Sequence, residues 1–208
     1  MSSKRKIIIY GSSYPDAIED IIQDGEVEIL GIVDDIAKHT SGVFSHVPLL
    51  GNRKVLKNVA DDIQILNNIW SHNNRIKMYK IIKEFNLPLF SYFALDVYLP
   101  NSLSIGEGNW MHRGVKVGSN VVIGDNCGFR FNSIINHDCT VGSHSFFGPG
   151  VILSGRVKVG NNSFIGSGSV ILPNVEIGNN VLIGAGSVVT KSISDNQVVF
   201  GNPAKIKK

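Results

Sequence analysis

The sequence predicts a small α/β domain followed by a parallel β-helix, and two patterns carry this prediction. From Leu99 to Val189, every sixth residue is aliphatic, Met or Phe. Neither a helix nor a simple strand has a period of six, whereas hexapeptide repeats are typical of β-helices, in which stacked coils bury a continuous core. Before this stretch, short apolar segments alternate with helical patterns, which favours a parallel sheet.

We expect each hexapeptide to form one short strand and a turn, and three hexapeptides to form a coil of about eighteen residues. The apolar residue points into the core, and the small residue two positions before it, such as Cys127, Cys139 or Ser163, fills a corner. Gly follows the apolar residue in most repeats and is expected to tolerate the backbone conformation of the turn. The alternative, an antiparallel sheet with regular turns, would drift out of this frame.

The N-terminal segment is expected to form a small Rossmann-like unit with a parallel sheet. Lys38 to Asn52 is expected to be a loop. The predicted strands are Lys6 to Tyr10, Glu28 to Val33, Asp62 to Ile69 and Leu89 to Phe93, and the predicted helices are Ala17 to Gln23, capped by Asp16, and Arg75 to Phe85. We therefore expect a domain over residues 1–95, a β-helix over 96–190 and a polar tail over 191–208.

Composition narrows the classes of function. The formal net charge is only +3, and no basic run beyond the tail lysines suggests a nucleic-acid surface. Cys127 and Cys139 occupy inward positions of the repeat, so they are expected to be reduced core residues. The apolar run at the N-terminus is too short for a signal peptide or a membrane span. We expect a cytoplasmic protein without membrane insertion.

The carboxyl ends of the predicted strands indicate a ligand site, because ligands of α/β sheets bind there. The candidates are Ser12, Ser13 and Tyr14 after the first strand and Asp34 and Asp35 after the second. The first loop lacks a full G-x-G-x-x-G, and Pro15 removes one backbone donor. By itself, an ordinary strand–helix turn is a simpler interpretation of this loop than a phosphate cradle.

His137 is the candidate catalytic residue of the β-helix. It follows the apolar Ile135 by two positions and is expected on the outer surface, with Gly155 eighteen residues later leaving an open slot beside the imidazole. Asp138 is adjacent, and a His oriented by a carboxylate is a common general base. An exposed turn histidine is the structural alternative.

The other histidines form no comparable pattern. His112 and His144 do not stack on His137 or on each other, so a three-histidine zinc site is not evident and no metal is expected, although a site shared between subunits remains an alternative. His39, His46 and His72 fall in the N-terminal segment without a partner pattern and are assigned to surface or loop positions.

A second column on the β-helix surface contains small residues. Pro149, Ser167 and Ala185 are spaced by eighteen, which leaves room for an extended ligand along the coils. Phe146 is expected to stack on Phe164, which more often marks a subunit contact than a ligand site.

Over its whole length the chain resembles the hexapeptide acyltransferases, specifically the sugar-nucleotide acetyltransferases of the NeuD and PglD type. The residues that carry the resemblance are the hexapeptide frame, Asn136-His137-Asp138-Cys139 and the tail motif Gly201 to Lys205. The resemblance implies a left-handed β-helix, a homotrimer and acetyl-CoA as co-substrate, with a site between adjacent β-helices. It also implies that His137 is the base, that Asp138 raises its basicity, and that Ser167 and Ala185 line acetyl-CoA.

The chain departs from the family pattern around the acceptor site. Gly11 to Asp16 replaces a glycine- and histidine-containing loop, and a usual glycine is replaced around Trp70-Ser71. Phe146 stands where the family has a histidine near the thioester, whereas Asp34-Asp35 matches the acidic pair that meets the nucleotide. The resemblance therefore supports acetyl transfer better than it identifies the acceptor.

Three hypotheses follow. The first is an acetyl-CoA-dependent N-acetyltransferase of an amino sugar, nucleotide-linked, in surface polysaccharide or glycan synthesis, with backbone amides near Gly155 stabilising the oxyanion. The second is O-acetylation of a sialic-acid-like or other hydroxyl acceptor, and the third is a non-catalytic trimeric scaffold. Tyr14 and Trp70 are expected at the acceptor pocket, together with Ser12, Ser13, Asp34 and Asp35.

Overall fold

Apolar segments that end in Gly, Asp or Asn form the first sheet. The computed structural model describes residues 4–12, 15–36, 46–69 and 71–207, with side chains 16 and 17 excepted. In the order of the sheet, the four parallel strands are β3 (Leu49–Gly51), β2 (Val27–Val33), β1 (Arg5–Tyr10) and β4 (Gln64–Asn67). Their inward side chains, among them Ile7, Ile9 and Ile32, are fully buried.

Two helices accompany this sheet, α1 (Asp16–Asp24) and α2 (His72–Glu84), and a 3-10 helix spans Arg53–Asn58. The predicted N-cap was wrong by one residue, because Pro15 precedes the helix and its carbonyl accepts the first N–H groups. Gly25 ends α1 in the left-handed conformation, φ 64°. The chain divides into two compact units, Met1–Tyr92 and Phe93–Lys208.

The prediction of Leu89 to Phe93 as the fourth strand of this sheet was wrong. Leu89 makes only an isolated parallel bridge with Ile65, and Tyr92–Phe93 is a separate short strand. The additional strand of this sheet is instead β3, which lies within the segment Lys38 to Asn52 that was predicted to be a loop. Three residues are too few to show a period, and β3 forms because the N–H groups of Ile32 and Asp34 bond to the carbonyls of Pro48 and Gly51.

The second unit is a β-helix of two-residue strands, each paired in parallel with the strand one coil later. Its polar face, named for its outward residues, contains Ser104–Ile105, Val122–Ile123, Thr140–Val141, Lys158–Val159 and Glu176–Ile177. Its aliphatic face contains Lys116–Val117, Ile134–Ile135, Ile152–Leu153, Val170–Ile171 and Val188–Val189. Its aromatic face contains Trp110–Met111, Gly128–Phe129, Phe146–Phe147, Phe164–Ile165 and Leu182–Ile183, followed by Val198–Gly201 and Ala204–Ile206.

The predicted left-handed parallel β-helix is confirmed, and its core contains the predicted sixth residues from Met111 to Val189. The prediction was wrong for Leu99, which is exposed, because the stacked coils begin after it. Phe129 and Phe147 stack in the interior with ring centroids 4.7 Å apart and planes at 6°. Both cysteines are buried free thiols. The buried serines at the small positions are satisfied by carbonyls, as Ser163 Oγ donates to Gly178 O over 2.9 Å.

The strained conformation of each turn does not fall on the glycine after the apolar residue, as the sequence had suggested. It falls two residues later: every such position from Gly108 to Gly186 has φ between 54° and 78°, and most are Asn, Asp or Gly. The earlier glycine allows close approach instead. A Cβ on Gly142 would lie 2.7 Å from Asn161 N in the next coil.

One corner of the β-helix carries a ladder of side chains that cap backbone amides. Asn161 Oδ1 accepts from Ser143 N over 2.8 Å, and Asn161 N donates to Asn179 Oδ1 over 2.8 Å. The same bond recurs from Asp125 to Asp195. We call this the ladder corner; it supplies acceptors that a turn in this fold otherwise lacks.

Residues 191–208, expected as a tail, contain the hairpin of Val198–Gly201 and Ala204–Ile206. Val198 pairs with Leu182 sixteen residues earlier, so the final coil is shorter than the others. In the described part of the chain, no helix is long and apolar enough to cross a membrane.

Asn161→Ala is expected to lower the free energy of unfolding by about 1 kcal/mol, because it removes the acceptor of the Ser143 amide. Lys158→Ala is the control; its ion pair with Glu176 is largely exposed, so a change within about 0.5 kcal/mol is expected. Denaturant unfolding measures both. Equal effects of the two variants would show that the ladder does not stabilise the β-helix.

Candidate functional site

His137 and Asp138 lie on the turn between the aliphatic and polar faces, which we call the His137 corner. His137 Nδ1 lies 2.8 Å from Asp138 Oδ2, and the two side chains are 50% and 43% exposed. Asp138 adopts the left-handed conformation of its turn, φ 59°, which lets adjacent side chains meet. The structure thus brings together the two residues predicted to be catalytic.

The protonation of this pair follows from the charge of Asp138. Hydrogen bonds from His137 and Asn120 hold the pKa of Asp138 below its usual range, so the carboxylate is ionised and only accepts. The proton of the short contact therefore resides on His137 Nδ1, and in the neutral imidazole Nε2 carries the lone pair.

Gly155 lies against the imidazole, and the open slot predicted there is filled by the ring itself. A Cβ at residue 155 would lie 2.6 Å from His137 Nε2 and 2.7 Å from Cε1. Glycine is therefore required for close approach. The Gly155 N–H has no acceptor among the described residues, in contrast to the amides of the ladder corner.

Ser167 and Ala185 lie at a different corner, between the aromatic and aliphatic faces, together with Pro149; we call this the Ser167 corner. Both residues are exposed, and their N–H groups have no acceptor in the described part of the chain. Phe146 is buried on the aromatic face and stacks on Phe164 at 5.4 Å, as predicted for that pair. Within one chain, these residues and His137 are on different corners of the prism.

The predicted acceptor residues Asp34 and Asp35 line a pocket of about 380 Å³ in the first unit. It lies at the carboxyl ends of the strands, where β1 separates β2 from β4. Ile69, Met78 and Ile81 give it an apolar wall, and Arg53, Lys77 and Asn74 add polar groups. Arg53 and Lys77 were missed from the sequence, since Arg53 follows the unpredicted β3.

The two carboxylates of this pocket are held differently. Asp34 accepts from Ser12 N at 2.9 Å and from Ser12 Oγ at 2.7 Å, so that amide is used internally. Asp35 accepts from Tyr10 and from Arg53, whose Nε lies 2.7 Å away. Burial opposes its ionisation, but these hydrogen bonds prevail and lower the pKa of Asp35 to about 2.

Ser13, Tyr14 and Trp70, predicted at the acceptor site, lie outside the described residues. Gly11 before them has φ 98°, and a Cβ there would lie 2.7 Å from Ile69 Cδ1. Within the described segments, no group of three or more His, Cys, Asp or Glu side chains is arranged to hold a metal ion.

Comparison with known proteins connects this geometry to a family. Residues 156–191 match the family described as bacterial transferase hexapeptide (six repeats). No curated protein sequence matches the chain significantly.

Solved structures match the chain over its length. PerB from Caulobacter crescentus, in complex with CoA and GDP-perosamine, is 27% identical with a TM-score of 0.89, over 100% of this chain and 99% of that chain. The acetyltransferase domain of PglB from Neisseria gonorrhoeae is 24% identical with a TM-score of 0.90, over 98% and 100%. WeeI from Acinetobacter baumannii is 24% identical with a TM-score of 0.86, over 97% and 99%. The predicted resemblance to hexapeptide-repeat sugar acetyltransferases is confirmed.

Gly155→Ala is expected to displace the imidazole of His137 and break its bond to Asp138, because the added Cβ and Nε2 cannot occupy the same space. NMR of the imidazole nitrogens checks this, since a hydrogen-bonded Nδ1–H gives a distinct signal. Gly186→Ala is the control: it adds a Cβ in open space at φ 67° and leaves His137 untouched. An unchanged imidazole signal in Gly155→Ala would contradict the close contact.

Proposed function

We propose that this hexapeptide-repeat acyltransferase transfers an acetyl group from acetyl-CoA to the amine of a nucleotide-linked amino sugar, with His137 as general base. The observation that carries the proposal is the His137–Asp138 pair at a corner where the imidazole lies against Gly155. PerB, which is bound to CoA and GDP-perosamine, supports the substrate class, as do two solved structures of perosamine N-acetyltransferase with a replaced histidine.

In the proposed reaction, the amine lone pair attacks the thioester carbonyl carbon. A C–N bond forms while the nitrogen loses a proton to His137 Nε2, the lone-pair atom of the tautomer that Asp138 imposes. The tetrahedral intermediate then expels the CoA sulfur as the C–S bond breaks. The imidazolium returns its proton to this thiolate, so the enzyme regains its starting state. Asp138 favours the imidazolium through its charge and orients the ring.

Unpaired backbone amides supply the remaining polar groups. We assign the Gly155 N–H to the oxyanion of the intermediate, since it borders the imidazole and has no acceptor among the described residues. We assign Ser167 and Ala185 to acetyl-CoA, whose pantetheine amides need hydrogen-bond donors. The equivalent amides at the ladder corner cannot bind a ligand in this way, because side-chain oxygens already accept their hydrogen bonds.

The pocket of the first unit suits the nucleotide portion of the acceptor. Its apolar wall accommodates a base, its carboxylates accept from ribose or base donors, and Arg53 and Lys77 provide positive charge for a diphosphate. Ser12 contributes indirectly, because its amide and hydroxyl groups donate to Asp34 and hold that carboxylate in place. The assignments of Ser13, Tyr14, Trp70 and Phe146 to substrate contacts stay predictions, as do glycan synthesis and a cytoplasmic location.

The faces of the β-helix suit the assembly of several copies of the chain into a trimer. The outward residues of the aliphatic face include Ile134, Ile152, Val170 and Val188, whereas the polar face presents Thr140, Lys158 and Glu176. The aromatic face is also apolar, through Phe164 and Leu182. Two apolar faces and one polar face per prism suit a closed ring in which one chain's aliphatic face packs on the next chain's aromatic face.

We expect Ile152→Asp to prevent trimer formation, because it buries a charge in the proposed interface. Thr140→Asp places the same charge on the polar face and serves as the matched control. Sedimentation equilibrium measures the mass of each variant. A trimer for Ile152→Asp, or a monomer for the unaltered chain, would contradict this interface.

Thiol release from acetyl-CoA, measured with GDP-, UDP- and dTDP-linked amino sugars, tests the function. The unaltered enzyme is expected to acetylate one of them, and His137→Asn to lose at least about a hundredfold in kcat/KM. His144→Asn is the control at another turn. Full activity of His137→Asn would overturn the mechanism. Release only with hydroxyl acceptors would indicate O-acetylation, and failure to bind acetyl-CoA would indicate a scaffold.

A further inference from the structure

Asp138 has a second hydrogen bond, on the side away from the imidazole. Asn120, one coil earlier at the same turn, donates from Nδ2 to Asp138 Oδ1 over 3.0 Å. The other oxygen, Oδ2, accepts from His137 Nδ1 over 2.8 Å. The two bonds together define the plane of the carboxylate, which is otherwise exposed and free to rotate.

Asn120 is itself held in place. It adopts the left-handed conformation, φ 57°, and its N–H donates to Ser102 Oγ over 2.9 Å. Because Asn tolerates this conformation without a large cost, its side chain is presented toward the next coil. The backbone geometry of the turn therefore aims the Asn120 amide at Asp138.

This pairing differs from that of the equivalent asparagines at another turn. Asn162 donates to Asn180 over 3.2 Å, and Asn180 donates to Asn196 over 3.1 Å, so those side chains pair with their own kind. At the His137 corner, the residue stacked on Asn120 is an aspartate instead. The ordinary contact between stacked side chains becomes a charge-assisted bond to the group that orients the base.

We infer that Asn120 is a positioning residue, which holds the Asp138 carboxylate against His137 and so maintains the Nδ1–H tautomer. This inference rests on the proposed function of His137. Asn120 acts through Asp138 and touches no reacting atom. The contacts connect Asn120 to Asp138 and Asp138 to His137, whose imidazole lies against Gly155.

The electrostatics agree with this role. The charged and polar groups that face Asp138 are His137, Asn120 and the guanidinium of Arg156, and all three favour its ionised form. Removal of the Asn120 donor therefore raises the pKa of Asp138. The carboxylate then takes up its proton at a higher pH as the solution is acidified, which a titration of Asp138 measures directly.

The test compares Asn120→Gly with Asn180→Gly. Glycine accepts the left-handed conformation at either position, so neither variant strains the backbone. Asn120→Gly removes one side-chain bond, whereas Asn180→Gly removes two and is the more severe structural change. Asn120→Gly is expected to lower kcat about tenfold with KM for acetyl-CoA unchanged, as loss of a hydrogen bond to a charged group implies. Asn180→Gly is expected to retain the kcat of the unaltered enzyme.

Two further measurements separate positioning from a structural effect. Asn120→Asp keeps the size of the side chain but sets a carboxylate against Asp138, so the pKa of Asp138 should rise further than in Asn120→Gly. Carbon-13 NMR of the Asp138 carboxyl should show the same order of titration. Equal kcat in Asn120→Gly and Asn180→Gly, with an unmoved Asp138 titration, would overturn the inference. If His137→Asn were also fully active, the proposed function itself would fail.

Discussion

The parallel stacking of identical turns is the constraint on which the rest of this structure depends. Each turn needs one residue in the left-handed conformation, and every such position from Gly108 to Gly186 meets this need. The regular turn brings the apolar residue of each coil under its equivalent in the next, so that Phe129 lies on Phe147. Polar groups at the corners are then placed with the same regularity as the core.

This regularity is what makes a surface site possible on an otherwise repetitive prism. At the ladder corner, Asn161 and its equivalents cap the backbone amides of the neighbouring coils. At the His137 corner, an imidazole and a glycine replace the capping side chains, and the Gly155 amide is left without an acceptor among the described residues. The proposed chemistry thus arises where the stabilising pattern of the fold is interrupted.

The two units differ in how they hold their charged groups. In the first unit, Asp35 is held by Tyr10 and Arg53 on a partly apolar pocket, and its pKa is well below the ordinary value. In the β-helix, Asp138 is exposed, and its neighbours Asn120 and His137 fix its orientation. Preorganised carboxylates of both kinds accept donors from a substrate or a base without further reorganisation.

The sequence by itself determined the β-helix, its core and the pairing of His137 with Asp138 and Gly155, because a period of six places residues eighteen apart in contact. The tertiary structure alone decided three further features. The left-handed residue of each turn falls two positions after the glycine that follows the apolar residue, because the hydrogen bonds of the stacked coils dictate which peptide must turn. Leu49–Gly51 joins the first sheet because its backbone pairs with the strand Val27–Val33. A segment of three residues has no sequence pattern that predicts such a long-range pairing. Arg53 gained its partner Asp35 only when distant segments met, since a single arginine after a three-residue strand carries no periodic signal.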